Sequence, residues 1–164
     1  MKHNDYDTIF ASSSQSKSAI KIIRISGQNA KKIPIIFNFK TPKPRTFVLR
    51  KLVHKDKVID NSPVVWLPGK KSFTGEDTFE IYIHGSVVIE KLIFKILSSY
   101  KNFRFAEPGE FTKRATLNGN IDLVQAESIN EIINSQTEKQ LSVAQAHFDG
   151  SLSCLLYTSP SPRD

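Results

Sequence analysis

The chain has one cysteine among its 164 residues, so it has no internal disulfide, and no Cys/His cluster has the spacing of a structural zinc site. That usage points to a reducing compartment. No apolar run approaches the roughly 18 residues a membrane helix needs, and the opening "MKHNDYDTIF" has no apolar core of a signal peptide. A protein of the cytoplasm, without a membrane partner, is the expectation. A P-loop is also missing: "PGKKS" at 68–72 resembles the end of one, but the glycine required five residues before Gly69 is Val64. Nucleophilic catalysis has no support, because Ser12, Ser13, Ser14 and Ser16 form a polar run with no His and acid paired to them by motif. Glu76, Asp77, Glu80 and His84 crowd together without making a metal site, since on a strand Glu80 and His84 stand roughly 13 Å apart at about 3.3 Å per residue.

Acid is scarce where it would balance the charge. Residues 1–120 hold 21 Lys and Arg against 10 Asp and Glu, a net +11, whereas residues 121–164 hold 2 against 6, a net −4. The basic part favours anionic partners such as nucleic acid, phosphates or a polycarboxylate ligand.

The order of elements reads as α+β. "AIKIIRIS" at 19–26 is β-branched and closes at Gly27, which predicts a strand; "QNAKKIPIIF" at 28–37 can begin as a helix that Pro34 interrupts. After the punctuation of "KTPKPR", the segments 45–54 and 57–68 flank Lys55 and Asp56 as an antiparallel pair. Val87, Ile89, Ile93, Ile96 and Leu97 give 86–100 the spacing of an amphipathic helix. Beyond residue 107 the composition turns helical. Asp122 with Gln125, and Thr137 with Gln140, form two capping boxes that predict helices over about 122–135 and 137–150. Their apolar stripe (Leu123, Ala126, Ile129, Ile133, Leu141) should lack partner helices. The end, "SCLLYTSPSPRD", breaks the pattern with Pro160 and Pro162 and resembles a translated adapter sequence on a truncated gene, so residues 154–164 are expected to be non-native.

Two charged residues stand out on the strands. In "DTFEIYIHG" at 77–85, Phe79, Ile81 and Ile83 share one face, while Thr78, Glu80, Tyr82 and His84 share the other. Arg24 shares its face with Ile20 and Ile22, so a guanidinium sits on an apolar surface and needs an internal acid, a route to water or an anionic ligand. Glu80 raises the same choice; a carboxylate offers two adjacent acceptors, matching a ligand edge with neighbouring N–H donors.

"DTIF" at 7–10, "IIRISG" at 22–27, "SFTGEDTFEIYIHG" at 72–85, "AEPGEFTKRATLNGNIDLVQAESINEII" at 106–133 and "FDGSLS" at 148–153 together resemble the N-terminal part of the tRNA modification GTPase family, MnmE or TrmE. The resemblance runs through about residue 153. It implies an N-terminal mixed-sheet α+β domain over 1–119, similar in fold to folate-binding aminomethyltransferases, that binds a tetrahydrofolate derivative (5-formyl- or methylene-tetrahydrofolate) and forms a homodimer. A helical domain would begin at 120–153. A Ras-like domain using GTP, magnesium and potassium would lie beyond this stretch. The family, with an FAD-dependent partner protein, modifies C5 of the wobble uridine of certain tRNAs.

By the same resemblance, the folate contacts fall on Arg24, Glu80 and Asn120. Glu80 would take the donor edge of the pterin, and Arg24 a pterin oxygen or the glutamyl carboxylate. Asn120 stands where the family usually has a lysine, which removes a charge-assisted contact worth about 1.5 to 3 kcal/mol. Ser86 replaces a glycine of the family's "HGG", and "SSSQSKS" replaces its glycine-rich loop. The other reading of the residues is a basic RNA-contacting or dimerising module in which Arg24 and Glu80 pair structurally; an aminomethyltransferase acting alone is a further one, against which the short chain argues.

Overall fold

A computed structural model describes residues 7–13 and 18–150. Ser14, Ser16 and the expected non-native end at 154–164 therefore lie outside the described residues. The chain divides into two compact units, Met1–Phe111 and Thr112–Asp164.

Among the described residues of the first unit, six strands form one mixed sheet: β1 (Thr8–Ser12), β2 (Ile20–Ser26), β3 (Val48–His54), β4 (Lys57–Leu67), β5 (Thr78–His84) and β6 (Phe103–Phe105), in the order β3-β4-β5-β2-β1-β6. Only the β1–β6 pair is parallel. The β3–β4 hairpin closes through Lys55 (φ 48°) and Asp56 (φ 60°), the two left-handed residues that a turn matching the strand twist requires. Two short helices, α1 (Ile33–Ile36) and α2 (Val87–Ser98), complete the unit together with the start of α3 (Glu110–Leu117).

Alternation is kept on β5: Phe79, Ile81 and Ile83 are fully buried and pack with Ile93, Ile96 and Leu97 of α2. On β2 the faces differ from the sequence reading. Ile23 and Ile25 face the core, and the face that Arg24 shares with Ile20 and Ile22 is the outer one, with Ile20 58% exposed. Both faces of this strand carry isoleucines, so hydrophobicity could not choose between them. The residue that does enter the core side is Lys21, 2% exposed, whose Nζ lies 2.6 Å from Glu90 Oε2 on α2.

A 3-10 turn over Ala30–Lys32 runs directly into α1, where Pro34 is the second residue, within the first turn, where its missing N–H costs nothing. Ser86 caps α2, its hydroxyl accepting from the Ile89 N–H. Before it, Gly85 donates its N–H to the Ala19 carbonyl (2.8 Å), and a Cβ on Gly85 would stand 1.7 Å from the Ser18 carbonyl oxygen.

In the second unit both capping boxes form, at the heads of α4 (Leu123–Asn134) and α5 (Glu138–Phe148). Ser128 and Ala144 are buried in these helices, while Leu123 and Ile133 of the apolar stripe are 68% and 75% exposed.

Removing one partner of a buried ion pair leaves the other charge without compensation. Glu90→Gln is therefore expected to lower stability by about 3 to 5 kcal/mol, and Lys21→Met combined with Glu90→Leu to recover most of it, read from urea unfolding midpoints. A single variant as stable as wild type would show that Lys21 escapes to water.

Candidate functional site

The β2–β5 register places Arg24 directly opposite Glu80. On the outer sheet face this becomes a contact: Arg24 Nε and Nη2 each approach Glu80 Oε1 at 2.8 Å. The other oxygen, Oε2, accepts from the Tyr82 hydroxyl at 2.8 Å. Arg24 and Glu80 are thus brought together, each by its strand, and Tyr82, two residues along the same face, joins them.

This end of the outer face is covered, which alternation alone could not foresee. Ser26 and Thr78 belong to the Arg24 and Glu80 face yet are buried, because the loop Ser72–Asp77 folds over them. Hydroxyls hold the loop: Ser26 Oγ lies 2.6 Å from Thr74 Oγ1 and donates to Glu76 Oε2 at 2.8 Å, and Ser72 Oγ donates to the Glu76 carbonyl. Between the anchored Ser72 and Thr74 stands Phe73. Its ring centroid is 5.8 Å from the Arg24 guanidinium carbon, and that of Phe111 is 5.9 Å away. Two aromatic rings and a carboxylate thus position one cation.

The far wall is fixed by a second guanidinium. Arg104, on β6, makes a two-pronged contact with Glu110 (Nη1 to Oε2 2.8 Å, Nη2 to Oε1 2.7 Å) and reaches Asp7 through Nε at 3.3 Å. Hydrogen bonding to Glu110 is the main cause that raises the Arg104 pKa above its ordinary value. Glu110 also accepts from the Glu107 N–H, so Ala106–Phe111 is held as a compact turn.

Between that turn, β1 and Arg24 lies a cleft of about 310 Å³, bordered by Ser12, Ser13, Arg24, Pro108, Gly109 and Phe111. Ser12 Oγ is buried here and makes no hydrogen bond, the one such side-chain atom among the described residues. An unpaired hydroxyl beside a guanidinium and an aromatic ring suits a ligand with a polar edge and a flat apolar face. Glu80 does not border the cleft; it stands behind Arg24.

The third residue expected at the site, Asn120, falls in the second unit, where it follows Gly119 (φ 72°) at the end of α3 and donates its N–H to the Ala115 carbonyl at 2.9 Å. His84, at the end of β5, is engaged elsewhere: its Nδ1 lies 2.7 Å from Asp60 Oδ1 and its N–H donates to Asp60 Oδ2. These contacts and the Ser62 hydroxyl hold the Asp60 carboxyl below its ordinary pKa, against the opposing and largest effect of burial. Sequence reasoning misses Tyr82, Phe73, Phe111 and Ser12 as parts of this site. Tyr82 alone has a local signal, its place two residues after Glu80 on one strand face.

A family model described as "GTP-binding protein TrmE N-terminus" matches residues 8–120. The tRNA modification GTPase MnmE of Anaplasma marginale (strain St. Maries) is 44% identical over 149 residues, covering 89% of this chain and 33% of the relative. The proteins of that name from Pelagibacter ubique (strain HTCC1062) and Mycoplasmopsis pulmonis (strain UAB CTIP) are each 42% identical, over 81% and 88% of this chain and 31% and 33% of their own lengths. The chain thus spans about a third of the length of these curated relatives.

Tyr82 carries a readout of the site. Burial, and after it the hydrogen bond and negative charge of Glu80, push its phenol up from 10.0 to about 12, with Arg24 opposing. The raised value favours the neutral phenol, so its contribution to stability is complete below pH 10 and is lost as pH rises from about 10 to about 12. Phenolate absorbance, compared with Tyr82→Phe to isolate this ring, is expected to show it titrating last. In Glu80→Gln it should move back toward 10; an unchanged titration there would remove Glu80 as a cause.

Proposed function

The chain belongs to the family of the GTP-binding protein TrmE N-terminus, and on that premise we propose that it is the N-terminal part of a tRNA wobble-uridine C5 modification GTPase, binding a tetrahydrofolate derivative and forming a homodimer. In this reading residues 1–119 are the folate-binding and dimerising domain, similar in fold to aminomethyltransferases, and 120–153 open a helical domain. GTP hydrolysis, with its magnesium and potassium, belongs to a domain outside the stretch matched here. The FAD-dependent partner protein, tRNA and a cytoplasmic setting come with the same reading; no helix among the described residues is long and apolar enough to cross a membrane.

The observation that carries the folate reading is the unpaired Ser12 hydroxyl in a cleft bordered by Arg24 and Phe111. The donor set fits the group. Arg24 commits Nε and Nη2 to Glu80 and retains Nη1 for a pterin oxygen or a glutamyl carboxylate. Glu80 Oε1 takes both Arg24 donors, while Oε2 accepts only from the Tyr82 hydroxyl and keeps a lone pair for an amidine-like edge, which would have to reach past Arg24 because Glu80 stands behind the cleft border. The cleft's 310 Å³ is of the size that takes a bicyclic ring and leaves a longer tail outside. The folate supplies a one-carbon unit when bound; the chain's residues orient the ring, with Phe73 and Phe111 fixing Arg24 and Glu80 fixing its charge. Asn120 would offer a neutral amide where the family usually has a cation.

Dimerisation is supported by the rest of the outer sheet face. Ile20, Phe47 and Leu49 are each more than half exposed there, with Phe47 stacked edge-on to Tyr82 at 4.9 Å. A second copy would bury them.

Calorimetric titration of the 164-residue chain with 5-formyltetrahydrofolate is expected to saturate at one ligand per chain, with binding lost in Glu80→Ala and weakened at least tenfold in Arg24→Gln. A folded wild type that takes up no heat would transfer preference to the RNA-contacting or dimerising reading. Sedimentation of the same chain should show a dimer that Leu49→Asp converts to monomer; a wild-type monomer at tens of micromolar would end the dimer proposal.

A further inference from the structure

The excess of base in the first 120 residues includes a group of three lysines that one cleft brings together. Away from Arg24, against the helix-bearing face of the sheet, a second cleft of about 340 Å³ lies between the β3–β4 hairpin end and the last turns of α2. Lys55, Lys57 and Lys95 stand around it, and Ile59, Leu92 and Ile96 make its apolar floor. All three lysines are exposed, and none has an ion-pair or hydrogen-bond partner among the described residues. The Arg and Lys side chains elsewhere in this unit that are drawn inward, Lys21, Arg24 and Arg104, are each paired to a carboxylate. These three are not.

Their placement is fixed by the backbone. Lys55 occupies a left-handed position of a two-residue turn, a stiff mount for a charge, and Lys57 opens β4 immediately after it. A register shift opposite Leu52 and Val53 inserts an extra residue in β4 here, and Ile59 packs against the core while the lysines stay at the rim. His54 is held by its Nδ1 on the Ile36 carbonyl at 3.0 Å. Lys95 has a second role, since it lies in the last turn of α2 and complements the helix dipole. Lys55 and Lys57 have no such role, and the intervening Asp56 is an exposed turn residue outside the cleft lining.

We propose that this lysine-rimmed cleft is a docking surface for the phosphate backbone of RNA, with a ribose or base edge resting on Ile59, Leu92 and Ile96. The proposal rests on the tRNA-modification reading for the identity of the RNA and adds where the chain touches it. Separate cations on a hairpin tip and a helix match consecutive phosphates better than one small anion, which would be met by convergent donors such as a guanidinium or backbone N–H groups. The apolar floor is of use to a nucleotide chain and of none to a free phosphate.

The test is equilibrium binding of the 164-residue chain to unmodified tRNA at several salt concentrations, beside the triple variant Lys55→Gln, Lys57→Gln, Lys95→Gln and the triple arginine variant. For wild type, affinity should fall linearly on a log–log plot against salt; the glutamine variant should lose at least tenfold in affinity, with the slope reduced by about one per lysine removed. The arginine variant should keep both. Since the three side chains are exposed, the glutamine variant should lose only the small stabilisation that Lys95 gives the α2 dipole, the arginine variant none, and 5-formyltetrahydrofolate binding should be the same in all three proteins. Equal tRNA affinity and slope in wild type and glutamine variant, or no tRNA binding by wild type, would overturn the proposal while leaving the folate reading to its own titration. Inorganic pyrophosphate that binds wild type, spares the glutamine variant and leaves the tRNA affinities equal would assign the cleft to a small polyphosphate instead, and overturns it too.

Discussion

The register between β2 and β5 is the constraint on which the first unit depends. Because side chains alternate, one setting of that register puts Ile23, Ile25, Phe79, Ile81 and Ile83 into the core and stands Arg24 against Glu80 on the other side. A slip of one residue would bury the guanidinium and expose the isoleucines. The same setting sends Lys21 inward, tolerable only because Glu90 on α2 meets it. One pairing thus fixes the core, the docking of α2 and the position of the cation at the cleft.

The two faces of the sheet then differ in their chemistry. On the outer face Arg24 is neutralised within the fold by Glu80 and has the rings of Phe73 and Phe111 near it. A cation so held has little freedom to lose when a ligand arrives, and its recognition is geometric. On the helix-bearing face Lys55, Lys57 and Lys95 remain solvated and unpaired among the described residues, which suits a long polyanion whose approach is guided at a distance.

Local chemistry is legible in the sequence, and its tertiary use is not. The hairpin around Lys55 and Asp56, the capping boxes at Asp122 and Thr137, and the core stripe of β5 each depend on residues within a few positions of one another, and all are present in the fold. Pro34 reads as a break because its distance from the helix start is not visible in the sequence. The face of β2 could not be chosen, since Ile20 and Ile22 balance Ile23 and Ile25. At the site, Arg24 and Glu80 are singled out by alternation on their strands and given a ligand role by the family resemblance, while the pairing between them, expected in the RNA-contacting or dimerising reading, is present in the fold. Phe73, Phe111 and the unpaired Ser12 are brought there by a loop, a turn and the strand β1, distant in sequence, and no periodicity signals such a meeting.

Gly85 shows how unevenly such a fold tolerates drift. Gly69 and Gly109 have left-handed backbones with open space around them, so a side chain there meets a graded strain of about 1 kcal/mol that stability elsewhere can absorb. At Gly85 the obstacle is a main-chain carbonyl 1.7 Å from where any Cβ would stand, and main chain cannot rotate away as a side chain can. Relief would have to part the start of β2 from the end of β5, one residue before the Ser86 cap that starts α2. No compensating substitution at a neighbouring side chain removes a backbone atom. The position therefore behaves as a threshold, closed to the gradual exchange by which surface and core positions diverge.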